Sequence, residues 1–169
     1  HGINIWQHFS SVFGMGRISE VTSVMKTISN KDVNYDEITQ LIVSSEKGLS
    51  GTIVQDVITK PTVKKVSIQC SNDSIIWEAN KEKNVDSLIY NKEEYLFVKT
   101  RPDDFKGEIN HIDEILSGNI DPLKSPISLE KGLTTMLVAT AAALSSKKGK
   151  KVYIDYDKGY SLRSLKILL

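Results

Sequence analysis

Between Arg17 and Val98 the chain carries one short β-branched or alternating run after another, and no helical period intervenes. Arg17 to Ile28 is the first. Glu37 to Ser45 and Thr52 to Ile58 follow, joined by Glu46-Lys47-Gly48-Leu49-Ser50-Gly51, a hairpin signature with glycine available for a positive φ. Val66 to Cys70 and Ile75 to Ala79 flank Ser71-Asn72-Asp73-Ser74, another turn-rich connector. Asp86 to Tyr90 and Tyr95 to Val98 flank Asn91-Lys92-Glu93. Up to seven strands in consecutive hairpins make an antiparallel sheet, because parallel strands need a long crossover between them.

The period then changes. Phe105, Ile109, Ile112 and Leu116 lie four, three and four apart, one face of a helix. Pro102 and Asp103 suit its first turn and Gly118 its end. A second helix runs from about Ser128 to Ser145, where Ala139, Ala141, Ala142 and Ala143 allow close packing on a sheet. Lys147 and Lys148 complement its C-terminal dipole and Gly149 stops it. Lys151 to Tyr156 alternates again as a last short strand, and Ser161 to Leu169 reads as one or two further helical turns.

A helical pattern also opens the chain. Ile5, Phe9, Val12 and Phe13 recur at helical spacing and Gly14 is a natural stop, yet no polar arm or capping residue precedes them. Residue 1 is His. This start suggests the C-terminal part of a larger protein, cut just inside a helix. The order of elements predicts an α+β fold, a mostly antiparallel open sheet with helices packed on one face. The other face then needs cover, from a second domain or a second copy.

With 169 residues the chain is long enough for a real core, and its size predicts one domain over residues 1–169. Apolar residues at 40% and charged residues at 25% are those of a soluble globular domain. A net charge of +1 argues against nucleic acid as a partner. The lysines at 147–151 read more simply as a solvated turn than as a phosphate patch. Cys70 is the single cysteine, so no internal disulfide forms, and its place after an alternating run suggests a buried small hydrophobe rather than a nucleophile. No apolar run approaches membrane-spanning length and no signal peptide is visible, which gives a cytoplasmic expectation with no membrane partner.

Gly14-Met15-Gly16 is the only Gly-x-Gly, and it follows a helix and precedes a strand, the reverse of a dinucleotide fingerprint. No Walker motif, Gly-x-Ser-x-Gly or Cys-x-x-Cys occurs. His1, Asn4 and His8 are three and four apart and share one helical face. No third strong ligand is placed with them, so a polar pocket-lining or partner-facing role is favoured over a metal. Asn4 either orients a substrate hydroxyl or decorates a helix end. His111 reads as a surface or boundary residue beside its helix's apolar stripe. Asp103, Asp104, Glu108, Asp113 and Glu114 read as a solvated helix face.

Several local motifs, in this order, resemble the C-terminal domain of the Gfo/Idh/MocA oxidoreductases. Gly2 matches the glycine of that family's Asp-x-Gly-x-His segment, and Val12-Phe13-Gly14 the end of the helix that follows it. Gly16-Arg17-Ile18-Ser19-Glu20-Val21 is similar to the approach to its first strand. Tyr35-Asp36-Glu37-Ile38 and Ser45-Glu46-Lys47-Gly48-Leu49-Ser50-Gly51 are similar to its central hairpin. Lys131-Gly132-Leu133 and Ala143-Leu144-Ser145-Ser146 are similar to its last long helix. The resemblance runs from His1 to about Tyr156.

What the resemblance implies is the substrate and dimerisation half of an NAD(P)-dependent dehydrogenase of a sugar, sugar derivative or polyol. NAD or NADP would be bound by an N-terminal Rossmann domain and not by residues 1–169, and the open sheet would make a homo-oligomer. The family's catalytic His falls at position 4, where this chain has Asn4. An amide donates and accepts hydrogen bonds but is no general base, whereas a neutral imidazole accepts a hydroxyl proton near neutral pH. The resemblance therefore places the substrate-binding residues at Asn4, His1 and His8, leaves the catalytic residue open, and admits a second reading, a non-catalytic binding or assembly module.

Overall fold

The computed structural model describes residues 1–168. They form two compact units, residues 1–58 with 123–168 and residues 59–122. The first unit holds α1 (Gly2–Val12), β1 (Ile18–Ser29), β2 (Asn34–Ser45), β3 (Ser50–Asp56), α3 (Leu129–Lys148), β8 (Val152–Ile154) and β9 (Leu165–Ile167). The second holds β4 (Lys64–Gln69), β5 (Ser74–Glu82), β6 (Val85–Tyr90), β7 (Glu93–Val98) and α2 (Arg101–Leu116).

The α+β expectation holds, and every strand pair is antiparallel. The strands form two sheets rather than one, ordered β3-β2-β1-β8-β9 and β4-β5-β6-β7. The segment between β3 and β4 contains Pro61, which has no amide hydrogen to continue a ladder. The tail differs from expectation too. Two short 3₁₀ turns, Tyr156–Lys158 and Leu162–Ser164, lead into β9, which pairs with β8.

In the first unit, alternation sends Val21, Leu41, Val43, Ile53, Val152 and Ile154 to one face, where they meet α3 residues Leu137, Val138, Ala141 and Ala142. The alanines let the helix lie close to β1. Beyond Val21, β8 no longer pairs with β1, so the amides of Ser23 and Met25 face an open edge. Two serines of α3 close it: Ser145 Oγ accepts from the Ser23 amide and Ser146 Oγ from the Met25 amide, both at 3.0 Å. Gly149, at φ 63°, then ends α3 as expected.

α1 packs on this layer through Ile3, Trp6 and Ser10, not through the stripe of Ile5, Phe9, Val12 and Phe13 that spacing alone suggested. Two glycines decide the face. A Cβ on Gly2 would lie 2.6 Å from Ile53 Cγ2, and one on Gly51 would lie 2.7 Å from Trp6 Nε1. Backbone therefore approaches side chain where only glycine fits. Gly51→Val is expected to cost about 1–3 kcal/mol by forcing the indole outward, read as a lower unfolding midpoint in urea. An unchanged midpoint would show that Trp6 has room to move.

In the second unit Asn91 and Lys92, both at positive φ, make the two-residue turn between β6 and β7. Cys70 is exposed, contrary to expectation. It sits just past the end of the edge strand β4, its amide already turning to donate to the Asp73 carbonyl at 2.8 Å.

Candidate functional site

Because Ile3, Trp6 and Ser10 face the sheet, the opposite side of α1 presents His1, Asn4 and His8, all exposed. The three sequence-predicted site residues therefore do share one face. The helix is held in this orientation at two points. The Gly2 amide donates to Gln55 Oε1 and Gln7 Nε2 donates to Thr135 Oγ1 on α3, both at 3.1 Å. His8 makes an edge contact with the Phe9 ring, centroids 5.9 Å apart. One turn beyond His8 on the same side, Val12 is 65% exposed. The outward face of α3 carries Leu129, Leu133 and Met136 at helical spacing, all exposed. The outer surface of the helix layer is thus a polar patch beside exposed apolar residues.

Asn4 offers a carboxamide that donates and accepts at once, suited to a hydroxyl. His8, one turn on, offers an imidazole on the same face. Among the described residues no group of three or more His, Cys, Asp or Glu side chains is placed to hold a metal. The Gly14-Met15-Gly16 segment is a tied turn: Ser10 Oγ donates to the Gly16 carbonyl at 2.7 Å and the Met15 amide donates to the Ser10 carbonyl at 2.8 Å. A Cβ on Gly16 would lie 2.7 Å from Glu46 Oε2 and 3.1 Å from Glu46 Cβ, so this turn packs directly against the Glu46 side chain.

Spacing gave no sign of the polar cluster at the far end of α1. Arg17 forks onto Glu46, with its Nη2 2.8 Å from Oε1 and its own amide 2.8 Å from Oε2. Partial burial opposes ionisation of Glu46, but the hydrogen bonds from Arg17 hold its carboxyl below the usual range. The Arg17 guanidinium also lies 4.0 Å from the centre of the Tyr156 ring. The Tyr156 hydroxyl donates to the Ile18 carbonyl at 2.7 Å, and burial keeps it protonated well above the ordinary tyrosine range. This cluster locks the β2–β3 hairpin to the tail. Glu46 lies 29 positions from Arg17 and Tyr156 lies 138 from Ile18, beyond any local motif.

No family model and no curated protein matches the chain. Solved structures do. A crystal structure of aldose-aldose oxidoreductase from Caulobacter crescentus complexed with glycerol superposes with a TM-score of 0.68 at 14% identity, over 90% of this chain and 46% of that one. The likeness is one of fold. The WlbA dehydrogenase from Bordetella pertussis, in complex with NADH and UDP-GlcNAcA, matches with a TM-score of 0.50 at 14% identity, over 88% of this chain and 43% of its own. The Chromobacterium violaceum WlbA dehydrogenase, with the same two ligands, gives 0.51 at 13%, over 89% and 45%. The chain spans a little under half the length of each of these structures. Among the described residues no helix is long and apolar enough to cross a membrane.

Proposed function

We propose that residues 1–169 are the substrate-binding and assembly domain of an NAD(P)-dependent oxidoreductase of the Gfo/Idh/MocA type, acting on a sugar, sugar derivative or polyol. The observation that carries this reading is the fold shared over 90% of the chain with an aldose-aldose oxidoreductase. Fold alone does not fix function, so the site must carry its share. The outer surface of α1 and α3 is where a nucleotide-binding domain docks, its apolar residues covered and its polar patch facing the substrate.

The one Gly-x-Gly, Gly14-Met15-Gly16, follows a helix and precedes a strand, the reverse of a dinucleotide cradle. A Rossmann domain would hold NAD or NADP, which would supply hydride transfer at the substrate carbon. On this side, Asn4 fixes the reacting hydroxyl. With no imidazole at position 4, the proton goes to another group, His8 or His1 on the same face or a group of the docked domain. Calorimetry of residues 1–169 with NADH and NADPH is expected to show no binding. Micromolar binding would overturn this division of labour.

The outward face of the five-stranded sheet supports self-association. Val24, Ile42 and Val54, on β1, β2 and the edge strand β3, are 69%, 61% and 66% exposed on that face. The ladder sets Val24 across from Gln40 and Gln40 from Val54, with Ile42 between Thr22 and Thr52 in the next row. The ion pairs Lys151–Glu20 and Lys26–Glu37 lie toward its margins. An apolar centre with a charged rim is how protein interfaces are built, and a stable homodimer buries about 2,000 Å² or more. Val54→Asp is expected to weaken the dimer by about thirtyfold or more in sedimentation experiments, a hot-spot loss of about 2 kcal/mol. A chain that is monomeric throughout the micromolar range would remove this interface from the account.

The replacement of the family His by Asn4 favours a second reading, a binding or assembly module without catalysis. A sugar that binds the intact protein without any change in nicotinamide absorbance would favour it.

A further inference from the structure

α1 rests on the sheet along a single line. Ile3, Trp6 and Ser10, three and four apart, make that line, and Ser10 is the one residue of the helix that is fully buried. A surface helix ordinarily turns an apolar stripe of about 100° or more toward its core. At about 100° per residue these three span roughly 60° of the helix. So narrow a contact sets where the helix lies but does little to stop it rolling about its own axis. Roll matters at the far side, where Asn4 and His8 stand exposed. With a helix radius of ~5–6 Å, a roll of ~20° carries a side-chain tip by about 2 Å. A misplacement of about 1 Å is enough to cost on the order of 10²-fold in rate.

The ends of the helix do not fix its roll. His1 makes no side-chain capping bond, and Phe13, at φ −81°, is no left-handed stop. Ser10 Oγ ties the last turn to the exit turn at the Gly16 carbonyl. Around Asn4 the roll is left to two hydrogen bonds. At 3.6 residues per turn, Gly2 and Gln7 fall on opposite flanks of the buried line. On the β3 flank the Gly2 amide donates to Gln55 Oε1 at 3.1 Å. On the α3 flank Gln7 Nε2 donates to Thr135 Oγ1 at 3.1 Å, and both residues are half-buried. The Thr135 hydroxyl is itself committed as a donor, to the Lys131 carbonyl at 3.0 Å, so toward Gln7 it can only accept. The bond therefore has one polarity, with the amide nitrogen of Gln7 turned to α3. Two apolar side chains of the same shape would hold the helices together about as well, but would select no single angle. Gln7 also lies one turn from Asn4, at i and i+3.

We propose that Gln7 and Thr135 are positioning residues for the candidate site: their hydrogen bond sets the roll of α1 and, through it, the direction in which Asn4 and His8 meet the substrate. The proposal rests on the reading of that face as the substrate side. Neither residue needs to touch the substrate.

The two claims are tested separately. Thr135→Val keeps the shape of the side chain and removes the acceptor, whereas Thr135→Ser keeps the acceptor. In residues 1–169, residual dipolar couplings of the 2–12 amides, set against those of the sheet, give the roll of α1 with no substrate present. A changed roll in Thr135→Val and in Gln7→Met, with the unsubstituted roll kept in Thr135→Ser, is the expected result. An unchanged roll in Thr135→Val overturns the proposal. In the intact polypeptide, Thr135→Val is expected to lower kcat/KM for the sugar about tenfold or more, with Thr135→Ser restoring it. Gln7→Met combined with Thr135→Val is expected to fall no further than either alone, because both remove one bond. A loss that Thr135→Ser does not restore, or losses that add, make the contact structural only and overturn the positioning role. An unsubstituted polypeptide without nicotinamide-dependent turnover is the failure of the functional reading instead, and it removes the positioning role with it.

Discussion

On the proposed function, Asn4→Ala in the intact polypeptide is expected to raise KM for the sugar, and Asn4→His to hold or raise kcat. The two substitutions separate the roles an imidazole would combine. In that reading the carboxamide of Asn4 orients a hydroxyl through one donor and one acceptor, so its removal weakens substrate binding. It takes no proton, so its removal leaves the acid–base part of the barrier to whichever group already carries it. A positioned general base is worth about 10²- to 10⁴-fold in rate, which bounds the gain open to Asn4→His. His8→Ala beside them shows whether the neighbouring imidazole takes the proton: a fall in kcat with KM unchanged assigns it that part. If neither Asn4 variant changes KM or kcat, Asn4 only decorates a helix end, and the pocket lies elsewhere.

The largest effect on stability is expected at Ser145. Its hydroxyl accepts from the Ser23 amide at 3.0 Å and donates to the Lys150 carbonyl at 2.7 Å, with both serines buried. Ser145→Ala leaves an amide at the open edge of β1 and a carbonyl at the end of α3 without these partners. Each such loss costs about 1–3 kcal/mol, so a total on the order of 2–4 kcal/mol is expected by urea denaturation. Thr140→Ala serves as the control. The Thr140 hydroxyl only returns to the Met136 carbonyl of its own helix, at 2.8 Å, and its loss should cost well under about 1 kcal/mol. Equal costs at the two sites would contradict the view that Ser145 seals the sheet edge.

The strands and the last helix were legible because alternation and the 3.6-residue period are local properties of sequence. The turn at Glu46 to Ser50, the stop at Gly149 and the shared face of His1, Asn4 and His8 follow from spacing of that kind. What escaped depends on contacts between distant segments. Period alone could not tell which stripe of α1 would be buried, since the choice falls to Gly51 beneath Trp6 and Gly2 against Ile53. Nor could it tell that one run of hairpins would part into two sheets between β3 and β4, or that Cys70 would emerge past the end of an edge strand. The buried carboxylate of Asp86 was invisible for the same reason: its partners, Asn80 and Lys99, lie on either side of a hairpin. The catalytic question was legible as a departure, an amide where the resembling family has an imidazole, and the fold places that amide on an exposed face beside apolar surface.

The central claim is that this chain completes a nicotinamide-dependent site for a sugar. Its most direct measurement is nicotinamide absorbance in the intact polypeptide, encoded with whatever precedes His1, on addition of aldoses, nucleotide sugars and polyols. A sugar-dependent change in absorbance that is weakened by Asn4→Ala is the predicted result. An intact polypeptide that binds neither NAD(H) nor NADP(H) would contradict the account.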